Sequence, residues 1–258
     1  MGSDQVWNYK YINDYDFYFM KKIKKEKCFS YAASFGVYDI PKEYVHSYES
    51  GLRHLNFISV REERGKELVK SIADRDDVQV LVDPTMLLTK EEWENTIENI
   101  KMKNLGKYIL LYFLGNIGKE RYQEIEKKAK KYNCKIINIM DTKSKYYASD
   151  PFEFIYLIKN AFLICTDSFH ASVFSILFNK AFIIYDRVYN GKNMNSRIDT
   201  LLGNLKIQNR RYNEKYITED NLKPDYKEAY EILEVERKKS YIYLKNALKD
   251  KKRKNDRK

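Results

Sequence analysis

The chain has 258 residues, 43% hydrophobic and 33% charged, with four prolines and nine glycines, enough apolar material for one large domain or two ordinary ones and too much for wholesale disorder. No stretch approaches the ~18–20 uncharged apolar residues of a membrane span, and the start, Met1-Gly2-Ser3-Asp4-Gln5, lacks the basic and apolar regions of a signal peptide. Three widely spaced cysteines, Cys28, Cys134 and Cys165, argue against a disulfide framework or zinc site and make a reducing cytoplasm the default expectation.

The net charge is +11, but residues 237–258 hold eleven Lys/Arg against two Asp, which is +9 and leaves only +2 for the preceding 236 residues. The basicity therefore belongs to the tail. It suits a solvated terminal segment, or a weak contact with an anionic membrane surface at the inner face, and not specific nucleic-acid recognition.

In chain order, residues 29–33 form a short strand candidate that ends at Ser34-Phe35-Gly36, and 37–55 carry no assignment. A second strand at 56–60 runs directly into a helix at 62–74, and a third at 78–82 is stopped by Asp83-Pro84-Thr85. Thr89 opens a helix with Glu92 three positions on, the capping-box spacing in which side chains satisfy free N-terminal amides. Residues 108–114 are a continuous apolar run, the mark of a strand buried on both faces. The turn Gly115-Asn116-Ile117-Gly118 leads into a Lys/Glu-rich helix to Tyr132, then a strand at 135–140. Asp150-Pro151-Phe152-Glu153 has the N-cap and N1-proline chemistry of a helix start, and that helix runs to Asn160. A strand at 162–165, a helix at 170–178, a strand at 181–185 and a short helix at 196–202 follow. A long helix at 225–249 has one apolar face, and 250–258, with nothing apolar to bury, are expected to be disordered.

Strands separated by such helices define βαβ units and parallel sheets, hence an α/β fold. The expected division is a partial N-terminal Rossmann-like domain at 1–88, a C-terminal one at 89–215, and a C-terminal helix with a basic tail at 216–258. Ligands of such sheets bind beyond the carboxyl ends of the strands, so chemistry is sought in the turns that follow them.

Thr166-Asp167-Ser168-Phe169-His170 is the most informative turn, because it follows an apolar strand and opens a helix. A helix N-terminus attracts anions, and a His there can exchange a proton near neutral pH. A core His, or a plain N-cap by Asp167 or Ser168, is the alternative. Arg61, at a strand-to-helix junction, suits bidentate binding of carboxylate or phosphate, with a salt bridge to Glu62 or Glu63 as its alternative. Arg197, which with Ser196 opens a helix after Asn190-Gly191-Lys192-Asn193, is a second anion-ligand candidate. Asp4 and Gln5 could bind sugar hydroxyls and Trp7 could stack on a sugar ring, against the plainer reading of an unremarkable N-terminus. No P-loop and no metal-ligand spacing is present.

Seven strings in order resemble the polysaccharide pyruvyl transferase family over residues 2–205. They are Gly2-Ser3-Asp4-Gln5-Val6-Trp7-Asn8, Ser30-Tyr31-Ala32-Ala33-Ser34-Phe35-Gly36, Ile58-Ser59-Val60-Arg61-Glu62-Glu63, Asp83-Pro84-Thr85-Met86-Leu87-Leu88, Thr166-Asp167-Ser168-Phe169-His170, Phe174-Ser175-Ile176-Leu177-Phe178-Asn179-Lys180, and Ser196-Arg197-Ile198. The resemblance implies a GT-B-like architecture of two Rossmann-like domains and transfer of pyruvyl from phosphoenolpyruvate to hydroxyls of a saccharide or lipid-linked saccharide as a ketal. Phosphoenolpyruvate is the donor substrate, and no cofactor is implied. His170 is similar to the family's catalytic histidine, and Arg61 to an arginine that binds the donor. Ser168 stands where better-studied members carry Arg, so Arg197 or Lys192 would supply that donor contact, and Ala171 stands where glycine is often found. Asp4 and Gln5 are assigned to the acceptor. His170, Ser168 and Arg61 are expected at strand carboxyl ends bordering one concave site. Members usually carry further residues, including a first strand, before the string matching Gly2, so an incomplete first sheet is expected, from either a misplaced gene start or a truncated member. The competing readings are a GT-B glycosyltransferase using a nucleotide-sugar, and a catalytically inactive binding module.

Overall fold

A computed structural model describes residues 2–100, 102, 105–189, 192–193, 195–212 and 222–253. The main elements in chain order are α1 (Tyr15–Tyr18), α2 (Lys42–His54), β1 (Ile58–Val60), α3 (Glu63–Ala73), β2 (Val78–Val80), α4 (Lys90–Thr96), β3 (Tyr108–Tyr112), α5 (Lys119–Lys131), β4 (Lys135–Asn138), α6 (Pro151–Asn160), β5 (Leu163–Thr166), α7 (Phe169–Leu177), β6 (Phe182–Ile184), α8 (Ser196–Asn204) and α9 (Lys227–Arg253). They fall into two compact units, one from Met1–Leu87, Asn193–Leu205 and Ala229–Lys258, the other from Leu88–Lys192 and Lys206–Glu228. Each has helices around a parallel sheet, the mixed α/β class that alternating strand and helix patterns predict.

In the first unit β1 pairs in parallel with β2, Ile58 opposite Val78 and Val60 opposite Val80. Residues 29–33 run beside β1 but meet it only in isolated bridges, Phe29 to Phe57 and Ala33 to Val60. The expected regular strand is interrupted by two hydroxyls. Ser30 Oγ donates to the Ser59 carbonyl, Ser59 Oγ donates to the Ser30 carbonyl, and the Ser59 and Ala32 amides donate to these hydroxyls, each at 3.0 Å. Side chains thus occupy ladder positions that peptide groups would fill, and Ala32 turns left-handed at φ 47°.

The unassigned segment between Gly36 and Asn56 contains α2. Tyr44, Tyr48 and Leu52, at spacings of four, are the helical signal there. Tyr48 enters an aromatic cluster with Trp7, Phe19 and Phe35, and its hydroxyl donates to the Trp7 carbonyl at 2.7 Å.

The second sheet has the order β4-β3-β5-β6, all parallel. The chain winds outward from β3 through α5 to β4, then returns across β3 through α6 to β5, so winding reverses between β3 and β5. The apolar run that becomes β3 was expected to reach Leu114, but the strand ends at Tyr112 because the next free amides are taken by the Asp167 carboxylate. The local stop and start signals are met. Thr89 with Glu92 and Asp150 with Glu153 each form reciprocal capping boxes, with Pro151 in the first turn.

Helix α9 continues to Arg253, past the expected end at Lys249; residues 254–258 lie outside the described residues. No Gly or Pro stops the helix, and Lys and Arg are good helix formers whose charge suits its carboxyl end. Its inner face packs on the first unit, with Tyr243 Oη donating to the Ser30 carbonyl at 2.7 Å and Arg237 Nε to the Met86 carbonyl at 2.6 Å. Among the described residues no helix is long and apolar enough to cross a membrane.

Gly51 on α2 faces Phe19 so closely that an added Cβ would overlap the ring. Gly51→Ala would gain about 1 kcal/mol of helix propensity in an open site, but the buried clash costs about 1–3 kcal/mol. Urea unfolding should therefore show a net loss of stability, and a more stable Gly51→Ala protein would refute this packing.

Candidate functional site

The first unit gathers three of the residues singled out in the sequence. Arg61 directly follows β1 and is only 3% exposed. One end of its guanidinium is paired with Asp83, and Nη2 reaches Asp4 Oδ1 at 2.7 Å. The same oxygen accepts from Arg197 Nη1 at 2.7 Å, so Asp4 bridges two buried arginines while remaining 45% exposed itself. Arg197 stands in the first turn of α8, which is fixed on α3 where the Glu63 amide donates to Thr200 Oγ1 at 3.1 Å.

Asp83 is held by its own turn. Its Oδ1 accepts from the Thr85 amide at 3.0 Å and from Thr85 Oγ1 at 2.7 Å, and Oδ2 accepts from Ser3 Oγ at 3.4 Å. Burial alone would depress the Arg61 pKa, but the charges of Asp83, Glu62 and Asp4 outweigh it and the net shift is upward. The guanidinium stays charged.

Glu62, considered as a local partner of Arg61, acts on it by its charge but is committed elsewhere through its hydrogen bonds. Glu62 directs Oε1 to the Ser34 hydroxyl and to the Phe35 and Gly36 amides, at 3.0, 2.7 and 2.9 Å, and so fixes the turn after residues 29–33. Gly36 sits there at φ +64° against Gln5, whose Cγ would lie 2.8 Å from an added Cβ. The Gln5 side-chain oxygen accepts from Asn8 Nδ2 at 2.9 Å. Trp7, considered as a stacking surface for a sugar ring, is instead a core residue at 2% exposure, packed on Phe19 and Phe35. Its indole is the largest apolar group in the loop, and burial removes it from water. Beside this loop a cavity of about 440 Å³ is lined by Ser3, Tyr18, Phe29, Tyr31, Leu55 and Pro84, among others.

In the second unit the candidate turn lies where winding reverses, at the carboxyl ends of β3 and β5, the position where open α/β sheets receive ligands. Asp167 is the structural centre. Its carboxylate accepts from the Leu114 and Gly115 amides at 2.8 Å and from Arg187 Nε and Nη2 at 2.9 and 3.0 Å. The ends of β3 and β5 and the segment after β6 are thereby tied together. Ser168 is the N-cap of α7, accepting from the Ala171 amide at 3.4 Å.

His170 stands apart from its helix. The other eight residues of α7, from Phe169 and Ala171 to Leu177, are all buried. Ser172 and Ser175 satisfy their hydroxyls on the carbonyls four residues back. His170 alone is half-exposed, with its ring edge-on to Phe169 at 5.5 Å.

Asp83 and Asp167 both lie in post-strand turns where the sequence directs the search, but nothing local in the sequence pairs them with Arg61 and Arg187. The side chain of Lys192 lies outside the described residues. Cys165, fully buried in β5, has its thiol pushed up to about 12 by burial, which leaves no thiolate nucleophile at neutral pH. Among the described residues no group of three or more His, Cys, Asp or Glu is placed to hold a metal ion.

The model for the family described as polysaccharide pyruvyl transferase matches residues 2–187. The match covers both Arg61 and the turn that carries His170, and the chain belongs to this transferase family. No curated protein matches the chain.

Asp83 and Asp4 should differ in what they contribute. Asp83→Asn leaves a buried guanidinium short of its enclosed counter-charge, a change that costs about 3 kcal/mol or more. Asp4→Asn removes a half-exposed carboxylate that water can partly replace beside the two arginines, and should cost less, about 1–2 kcal/mol. Equal losses for the two variants in urea unfolding would contradict this division.

Proposed function

We propose that the chain transfers a pyruvyl group from phosphoenolpyruvate to two hydroxyls of a saccharide, or lipid-linked saccharide, forming a ketal and releasing phosphate. The observation that carries the reading is His170, the one half-exposed residue on an otherwise buried helix, at the point where sheet winding reverses. The enol carbon of phosphoenolpyruvate becomes electrophilic when its methylene carbon accepts a proton, and His170 is the proton donor in this reading. Two acceptor hydroxyls add at that carbon, and its bond to the phosphate oxygen breaks. Of the two hydroxyl protons, one balances the proton now in the methyl group and the other leaves with phosphate.

Arg61 and Arg197 are the donor-anion ligands of the first unit in this account, and Ser168 at the N-terminus of α7 is the donor-binding residue of the second. Both arginines already hold Asp4, so the donor's carboxylate takes the place of a carboxylate supplied by the chain. Asp4 and Gln5, with the aromatic hollow beside their loop, serve the acceptor. The reaction as written needs no cofactor. The GT-B-like arrangement belongs to the same reading and is supported by one parallel sheet in each unit. A cytoplasmic site of action follows from the supply of phosphoenolpyruvate.

The test is phosphate release from phosphoenolpyruvate in the presence of a saccharide acceptor. His170→Gln should lower turnover by about 10²–10⁴-fold with an unchanged melting temperature. Wild-type turnover in His170→Gln would return His170 to a structural role. A melting temperature raised by nucleotide-sugars and not by phosphoenolpyruvate would favour a glycosyltransferase.

A further inference from the structure

We propose that the outward face of α9 is a docking surface for an anionic lipid membrane, formed by apolar side chains and lysines on the same helical stripe. The inward face is committed to the first unit. Ala229, Leu233, Arg237, Ser240, Tyr243 and Ala247 are buried, and Tyr243 and Arg237 are hydrogen-bonded to the body. The helix therefore cannot roll, and its opposite face is a fixed surface.

That face has an unusual composition for exposed helix. Val235 is 63% and Ile242 60% exposed, and they lie seven residues apart. Lys238, Lys245 and Lys249 stand on the same stripe at alternating spacings of three and four, all exposed. A second pair seven apart, Tyr241 and Leu248, is 51% exposed along one side of that stripe. Tyr241 is tied to the body by its hydroxyl, which donates to the Leu87 carbonyl at 3.1 Å. Single exposed apolar residues need no explanation, but Val235, Ile242 and Leu248 on one helix, interleaved with lysines, form a patch.

The charge is polarised along the helix. Glu228, Glu231 and Glu234 lie in its first turns, whereas residues 237–258 carry +9 of the chain's +11. The basic part carries the patch from Lys238 to Leu248, and Val235 stands just before it, between Glu234 and Glu236.

Lysines beside exposed aliphatic groups match a helix lying in the lipid interface, where apolar side chains enter the acyl boundary and ammonium groups reach the headgroups. Each Lys near an anionic surface contributes attraction of comparable weight. Two other occupants fit less well. A second copy would set lysine stripe against lysine stripe. A nucleic acid would satisfy the lysines but give Val235, Ile242 and Leu248 nothing to bury against.

The inference is independent of the pyruvyl-transfer reading. It is tested by co-sedimentation of the full chain with vesicles of phosphatidylcholine alone and of phosphatidylcholine mixed with phosphatidylglycerol. Binding is expected only to the mixed vesicles, with loss as the salt approaches ~1 M. The double variant Val235→Ser/Ile242→Ser, altered only at exposed positions, should bind about tenfold or more weaker at unchanged melting temperature. Lys238→Gln/Lys245→Gln should lose about tenfold as well, and His170→Gln should bind as the wild type does. Equal binding by the serine variant would overturn the proposal and leave a simple polyanion contact. So would the absence of vesicle binding, whether the chain stays monomeric or forms a dimer that Ile242→Ser dissolves.

Discussion

A guanidinium enclosed at the end of a buried strand must have a counter-charge, and much of the first unit is arranged around that requirement. Arg61 leaves β1 with almost no exposure to water, and taking an ion out of water costs several kcal/mol unless a partner replaces the lost solvation. Asp83 is that partner. Its own position is set by the turn at Pro84-Thr85, which follows β2, the strand paired with β1. Parallel pairing of two short strands thus brings their two carboxyl ends, one cationic and one anionic, side by side. Asp4 completes the arrangement from the N-terminal loop and carries the charge outward to Arg197 on α8.

The second unit solves a related problem with the roles reversed. Here the buried ion is a carboxylate, Asp167 at 4% exposure, and it is satisfied by two backbone amides and a bidentate arginine. Gly115 permits the approach, since an added Cβ would meet both Asp167 and Arg187 at 3.1 Å. The turn that presents His170 begins at the residue so anchored. Precise support of this kind suits the proton transfer proposed for His170, since such a group must be held to within a fraction of an ångström of its productive position.

Features written over three or four residues were legible in the sequence. The capping boxes at Thr89 and Asp150, the apolar run of β3, the alternation that implies parallel sheets, and the placing of Arg61 and His170 just beyond strands all rest on local chemistry. What escaped was long-range. Asp83 is 22 residues from Arg61, and Asp4 is 193 from Arg197, so no spacing rule could pair them. Glu62, adjacent to Arg61 in sequence, is the natural partner on paper, yet its Oε1 accepts from the Ser34 hydroxyl and the Phe35 and Gly36 amides, because a buried carboxylate gains more from three donors than from one crowded pair. The burial of Trp7 is hidden for a similar reason, since a terminal loop gives no sign of which of its side chains the core will claim. Helix α2 was missed although Tyr44, Tyr48 and Leu52 share one face, because the segment lacks an N-cap side chain and begins after Pro41.

These ion pairs join the fold to the proposed chemistry, because a donor anion could reach Arg61 or Arg197 only where an internal carboxylate already stands. The account requires that Arg61 and Asp83 act as one unit, with Asp4 as the replaceable member. A double-mutant cycle of Arg61→Gln and Asp83→Asn, read by urea unfolding, measures that dependence directly. The predicted coupling is about 2 kcal/mol or more, within the range seen for residues in one buried network. A coupling below about 0.5 kcal/mol, as found for independent sites, would show that Arg61 does not depend on Asp83 and would contradict the account.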